Sequence, residues 1–287
     1  MKIRIGTRKS KLALAQTNMV ESALKNAFPH IETEIVHIVT KGDKVLDKPL
    51  SEIGGKGLFI SEIEEALLNN EIDIAVHSAK DLPVFLADGL ETAGVLKRGD
   101  PRDCLVTRKG CGFSDSEETV VGTGSMRRRM QMKKIYPHVS FSDIRGNIDT
   151  RIGKLLSGEY GGIILAMAGL ERLNLKSDNR TEIRPFGTDI FLPAPCQGII
   201  AAECRKNDII SQYVKKINDA ETFYAFETER AVIQKLNGNC GLPLGAYSEV
   251  NGSEITLSLT MHPDKIIKGT DKAENRFRLA ERLADKL

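Results

Sequence analysis

The chain has no tryptophan, and five tyrosines with ten phenylalanines bring aromatic residues to only 5% of 287. Proteins that hold single-stranded nucleic acid interleave aromatic stacking platforms with their cations, and here the cations stand without them, so no nucleic-acid partner is expected. Cysteine is sparse and odd in number (Cys104, Cys111, Cys196, Cys204, Cys240), with no CxxC pair, which excludes a disulfide-dependent miniprotein and points to a reducing cytoplasm. The five histidines are scattered, none at a spacing suited to metal ligation, so no metal is expected. No apolar stretch is long enough to span a bilayer, and basic residues break every apolar run of the opening MKIRIGTRKSKLALAQ. Neither a membrane partner nor a signal peptide is expected.

What is present is an ordinary globular composition, 41% hydrophobic and 28% charged, in a length that suits two to three domains. The net charge of +2 conceals an asymmetry. Residues 123–154 hold eight cations (Arg127, Arg128, Arg129, Lys133, Lys134, Arg145, Arg151, Lys154) against Asp143 and Asp149 alone. Such a concentrated positive field on a near-neutral chain suits an anionic ligand.

The N-terminal half alternates strands and helices. Residues 2–6 read as a strand, Ser10 as the N-cap of a helix, 34–40 as a β-branched strand, 58–69 as a helix and 72–77 as a buried strand. That alternation implies a mostly parallel sheet covered by helices. A second α/β unit begins near Gly99-Asp100-Pro101, with strands at 104–107, 119–122, 139–144 and 162–166 and helices from Ser125 and Asn147. The stretch 189–203 is Pro/Gly-rich and then strand-like, and is expected to return to the first sheet. A helix at 220–236, strands at 246–250 and 254–261 and a terminal helix from Ala273 form a small α+β domain. The boundaries expected are 1–96 with 191–212 for the first lobe, 97–190 for the second and 213–287 for the C-terminal domain.

Several segments can carry chemistry. GTGS (122–125) leads from a strand into a helix whose first turn holds Arg127 and Arg128. Unpaired N–H groups favour an anion there, and two arginines opposing the helix dipole need a negative partner; the alternative is a plain Gly-rich turn before a solvated helix. IRGNIDTRI (144–152) repeats the arrangement with Arg145 and Arg151, and loops after the carboxyl ends of parallel strands converge on a ligand crevice. Arg129, Lys133 and Lys134 read as a solvated face. HSAKDLP (77–83) ends the buried strand of the first lobe with Lys80 and Asp81, as a polar site or a surface turn before Pro83. GTRKS (6–10) brings Arg8 and Ser10 to that same edge, and GGKGLF (54–59) resembles a mobile lid carrying Lys56. Cys240, in GNCG, is either buried filler or an outward-turned nucleophile; Cys104 and Cys204 lie in apolar, strand-like settings as filler.

Taken in order, GTRKSKLALAQ, TKGD, GGKGLF, HSAKDLP, DPRDCLV, GTGSMRRR, RGNIDTR, AGLERL, LPAPCQG and GNCGLPLGAY closely resemble the porphobilinogen deaminase (hydroxymethylbilane synthase) family over about the first 250 residues. The resemblance implies two doubly wound α/β lobes like those of periplasmic binding proteins, plus the small α+β domain, acting as a monomer. It implies a dipyrromethane cofactor attached by a thioether to Cys240, onto which four porphobilinogen molecules are deaminated and condensed head to tail, giving hydroxymethylbilane and ammonia for tetrapyrrole and haem biosynthesis. The residues it assigns to the cofactor, besides Cys240, are Ser78, Lys80, Thr123, Ser125, Arg127, Arg128, Arg145, Gly146 and Asn147. Those it assigns to substrate are Arg8, Ser10, Gln16, Lys56, Arg145 and Arg151. It makes Asp81 and Arg8 catalytic: Asp81 accepts from the pyrrole N–H and stabilises the cation left by loss of ammonia. The acetate and propionate arms of each pyrrole make the chain a polyanion, which suits a basic cleft.

This sequence departs from the family where Cys196 stands for a glycine, with an altered interlobe strand expected, where Asn239 replaces another glycine, and in a short C-terminal domain. A non-catalytic two-lobed binding protein for a small anion is the competing expectation. Against it stand Asp81, the third domain presenting Cys240 and the lack of an export signal.

Overall fold

The structure, a computed structural model, describes residues 1–40, 61–237 and 242–287. These divide into two compact units, Met1–Arg98 with Ile199–Phe223, and Gly99–Gly198 with Tyr224–Leu287. In chain order the first contains β1 (Lys2–Thr7), α1 (Lys11–Ala27), β2 (Glu32–His37), α2 (Ser61–Leu68), β3 (Ile74–Ser78), a 3-10 turn (Ala79–Asp81) and β4 (Leu90–Val95). The second contains β5 (Asp103–Arg108), β6 (Val120–Gly122), α3 (Met126–Ile135), β7 (Ser140–Ser142), α4 (Ile148–Leu156), β8 (Gly162–Ala166), α5 (Met167–Arg172) and β9 (Thr181–Pro185). The chain returns to the first unit as β10 (Ile200–Arg205) and α6 (Ile209–Lys216). It leaves along α7 (Ala220–Lys235) and ends with β11 (Gly245–Asn251), β12 (Glu254–His262), β13 (Lys265–Lys272) and α8 (Arg276–Ala284).

The two α/β lobes share one layout. In the first the strand order is β2-β1-β3-β10-β4 and in the second β7-β6-β8-β5-β9. In each, three strands are parallel, and the strand adjoining them, β10 or β5, runs antiparallel to both neighbours. Counting the edge strand β4 or β9, four of the five strands in each sheet run one way, as expected of a mostly parallel sheet, and the fifth, β10 or β5, is reversed. The β2 strand starts and stops earlier than expected, because β1 pairs with it residue for residue from Lys2↔Glu32 to Thr7↔His37 and so sets its ends. The last part is a three-stranded antiparallel sheet, β11-β12-β13.

Hydrophobic burial accounts for each layer. Ile3, Ile5, Ile74 and Val76 of the first sheet pack on Val20 and Leu24 of α1 and Val214 of α6, while Ile63 and Leu67 of α2 cover Ala75 on the opposite face. In the second lobe Val121, Met132 and Ile164 pack with the stacked rings of Phe186 and Phe191, 4.6 Å apart. In the C-terminal part Ile255, Leu257 and Leu259 of β12 meet Leu279 and Leu283 of α8 and Val232 of α7. Each such side chain contributes about 1.5–3 kcal/mol on burial. Cys104 and Cys204 are buried filler as expected: burial pushes the Cys104 thiol up to about 12 and the Cys204 thiol higher still. Among the described residues, no helix is long and apolar enough to cross a membrane.

Candidate active site

In the first unit, β1 and β3 are parallel neighbours, and the segments leaving their carboxyl ends lie along one edge of the sheet. Ser10 caps α1, its Oγ accepting from the Ala13 N–H at 3.2 Å, so this hydroxyl already serves the helix. Arg8, in the turn before it, is partly exposed. Six residues beyond Ser10, Gln16 is buried and its Nε2 donates to Ser78 Oγ at 2.7 Å, while that hydroxyl faces Gln16 Oε1 at 3.2 Å. Ser78 closes β3; the 3-10 turn after it leaves Lys80 and Asp81 exposed. Gln16, Ser78, Lys80 and Asp81 are thus brought together on residues the sequence separates widely. Lys56 and Cys240 lie outside the described residues.

In the second unit, the ends of the parallel strands β6 and β7 both feed helix N-termini. Thr123 is buried, its N–H donating to the Ser142 carbonyl and its Oγ1 accepting from the Ser125 N–H. Ser125 caps α3 by accepting from the Arg128 N–H at 3.4 Å. Asn147 caps α4, its Oδ1 accepting from the Thr150 N–H and hydroxyl, both at 2.9 Å. Gly146 sits at φ +102, and a Cβ there would lie 2.7 Å from the Thr150 methyl, so two independent constraints demand glycine. Arg145 is partly exposed, while Arg151 turns its Nε back onto the Gly146 carbonyl at 2.8 Å.

Arg127 and Arg128 do not form a solvated helix start. Both point inward onto Asp103 of β5, whose side chain is fully buried. Arg127 Nη1 donates to Asp103 Oδ2 and to the Leu192 carbonyl, each at 2.7 Å. Arg128 forks onto Asp103 Oδ1 through Nε (2.9 Å) and Nη2 (2.7 Å), and gives Nη1 to the Ile164 carbonyl. Burial, opposed by Asp103 and reinforced by Arg128, holds the Arg127 guanidinium below its ordinary value. Arg129, expected on a solvated face, is half-buried and donates to the Thr123 carbonyl and to Asp143, so it braces the turn; Lys133 lies over the Phe141 ring and Lys134 reaches Asp264.

Both lobes therefore carry polar side chains and helix N-termini at strand ends, a chemistry suited to anions. A family model described as "Porphobilinogen deaminase, dipyromethane cofactor binding domain" matches residues 3–212, and one described as "Porphobilinogen deaminase, C-terminal domain" matches 223–287. The chain belongs to the porphobilinogen deaminase family. It is 43% identical over 293 residues to a porphobilinogen deaminase of Brevibacillus brevis, spanning 100% of this chain and 94% of that protein. It is 45% identical over 258 residues to one of Acetivibrio thermocellus, spanning 90% and 87%. Among solved structures, a periplasmic VFT2 domain of Bordetella pertussis BvgS matches with a TM-score of 0.45 and 12% identity, over 79% of this chain and 92% of that one.

In this chain Cys196 takes φ +61, which explains why glycine suits that position. The Cys196 side chain is buried, its N–H donates to Glu229, and β10 forms four residues later in spite of the substitution. Sequence reasoning gave no role to Asp103, to the buried His77–Glu203 pair (2.9 Å) or to Arg172, which donates to the Gly198 carbonyl and is lowered to about 10 by burial. The available signal for Asp103 was indirect: two adjacent arginines at a helix start, with no acid nearby in sequence, require a distant one.

Proposed function

We propose that this chain is a hydroxymethylbilane synthase that builds a linear tetrapyrrole on a dipyrromethane primer held by a thioether at Cys240. The observation that carries the reading is the pairing of cation-bearing, capped helix starts after β6 and β7 with a cofactor-domain match over residues 3–212. The donor set suits the primer, because guanidinium groups and helix N–H groups both pair with acetate and propionate. The residues that would hold it are those the family resemblance assigns: Thr123, Ser125, Arg127, Arg128, Arg145, Gly146, Asn147, Ser78 and Lys80. When bound, it supplies the terminal pyrrole to which the next unit is joined.

The chain's own residues do the rest. Arg8, Ser10, Gln16, Lys56, Arg145 and Arg151 orient porphobilinogen through its carboxylates. Asp81 accepts the pyrrole N–H and so stabilises the positive charge that departing ammonia leaves on the substrate. The lobes 1–96 with 191–212 and 97–190 supply these groups, and the domain 213–287 supplies the thiol. The enzyme works as a cytoplasmic monomer without metal, membrane or nucleic acid.

Intact-chain mass spectrometry tests the reading. The wild type is expected to carry a dipyrrole adduct that a Cys240→Ala variant lacks. An unmodified wild type that still turns over porphobilinogen would refute the anchoring, and one without turnover would refute the function.

A further inference from the structure

Asp103 stands at the centre of a charge arrangement that cannot be neutral. Its fully buried carboxylate pairs with two guanidiniums, Arg127 at 4% and Arg128 at 10% side-chain exposure. Among the described residues it is the only carboxylate paired with either, so the cluster keeps one positive charge in excess. The remaining acceptors are neutral carbonyls of Leu192 and Ile164. Burying an uncompensated charge is unfavourable, and the arrangement becomes balanced when one further negative charge arrives.

The geometry divides the labour between the two arginines. Arg128 meets one oxygen of Asp103 with two donors, Nε and Nη2, that converge on it and fix the plane of its guanidinium, while Arg127 takes the other oxygen through a single nitrogen. Asp103 is itself immobilised: it lies in β5 opposite Ala166 of β8, and its carbonyl accepts from the Phe186 N–H. A side chain anchored in the sheet thus dictates the orientation of two cations carried on the first turn of a helix. A long arginine loses rotamer freedom on binding, and holding it in advance removes that cost from ligand association.

We propose that Asp103 is a positioning residue that pre-orients Arg127 and Arg128 and, by cancelling one of their two charges, tunes the pair to receive a single ligand carboxylate. The inference rests on the proposed function, in which that carboxylate belongs to the primer. A ligand group with two negative charges would overcharge the cluster, so the preference is for a monoanion.

The test uses the full-length chain, purified as expressed, with Asp103→Asn and Arg128→Lys. The amide keeps the shape of the aspartate without its charge, and lysine keeps the charge without the fork. The fraction of chains carrying the dipyrrole adduct is read by intact mass, alongside circular dichroism and the melting transition. In both variants the adduct-bearing fraction is expected to fall at least tenfold, with a cooperative melting transition retained. A folded variant of either kind loaded as fully as wild type would overturn the proposal. If Asp103→Asn does not fold, Asp103→Glu, which keeps the charge but displaces the carboxylate by one methylene, decides on the same criterion. A wild type without adduct removes the reading beneath the proposal, and the proposal with it, which separates that failure from a loaded wild type beside loaded variants.

Discussion

Gln16 and Ser78, 62 residues apart, are joined by the Gln16 amide, whose nitrogen donates to Ser78 Oγ at 2.7 Å. The contact ties the first helix to the carboxyl end of β3, directly before the turn that presents Lys80 and Asp81. Replacing Gln16 with leucine is expected to lower stability by about 1 kcal/mol, because the Ser78 hydroxyl loses a buried partner. Urea denaturation of Gln16→Leu beside a Gln16→Leu/Ser78→Ala double variant checks it; the second change should recover part of the loss.

Asp81→Asn is expected to keep the adduct and lose turnover by about a hundredfold or more, the scale of a removed electrostatic stabiliser at a reacting centre. Intact mass and the rate of porphobilinogen consumption, measured on one preparation, separate the two effects. Undiminished turnover would remove Asp81 from the mechanism.

Asp73 carries a network of its own. It receives the fork of Arg4 and a bond from Arg205, and these hydrogen bonds outweigh burial and hold its carboxyl below the usual range. A depressed folded value means the contribution is complete above the unfolded pKa of about 4 and is lost as pH falls through the folded value. Asp73→Asn is expected to cost about 2–4 kcal/mol at pH 7, and progressively less as the wild type is acidified below about pH 4. Denaturation midpoints of both proteins across pH 3–7 should converge at the acid end.

Gly146→Ala combines an unfavourable φ of +102 with a Cβ 2.7 Å from Thr150. A loss of about 1–3 kcal/mol is expected. Adding Thr150→Ala should relieve the collision but not the backbone strain, so thermal melts should show partial recovery only.

Thiol accessibility gives a simple count. Cys111 is exposed, whereas Cys104, Cys196 and Cys204 are buried. In the adduct-bearing protein one rapidly reacting thiol is expected, and none in Cys111→Ser; the buried three should titrate only after denaturation.

Much of the scaffold was legible because local chemistry and local structure agreed. Ser10 reads as an N-cap and Ser125 and Asn147 as helix starts, and all three are N-caps, since an N-cap is decided within three residues. The strand at Gly162–Ala166 was legible for a similar reason, a short apolar run bounded by glycine and helix. The strands β4, β9 and β13 were not foreseen. Thr181–Pro185 and Lys265–Lys272 are edge strands rich in charge, and their pairing is supplied by β5 and β12 rather than by their own pattern.

The motifs from Gly6 to Tyr247 were enough to determine the family, because their order and residue types belong to the covalent chain and need no folding to be read. What each cation does was decided only by tertiary structure. Arg127, Arg128 and Arg129 are adjacent in sequence, yet the first two turn inward to Asp103 and the third outward to Asp143. The helix sends successive side chains in different directions, and the acid that receives two of them arrives on a strand more than twenty residues earlier. Long-range pairing of charge depends on which strands become neighbours, and that is fixed by the packing of the sheet.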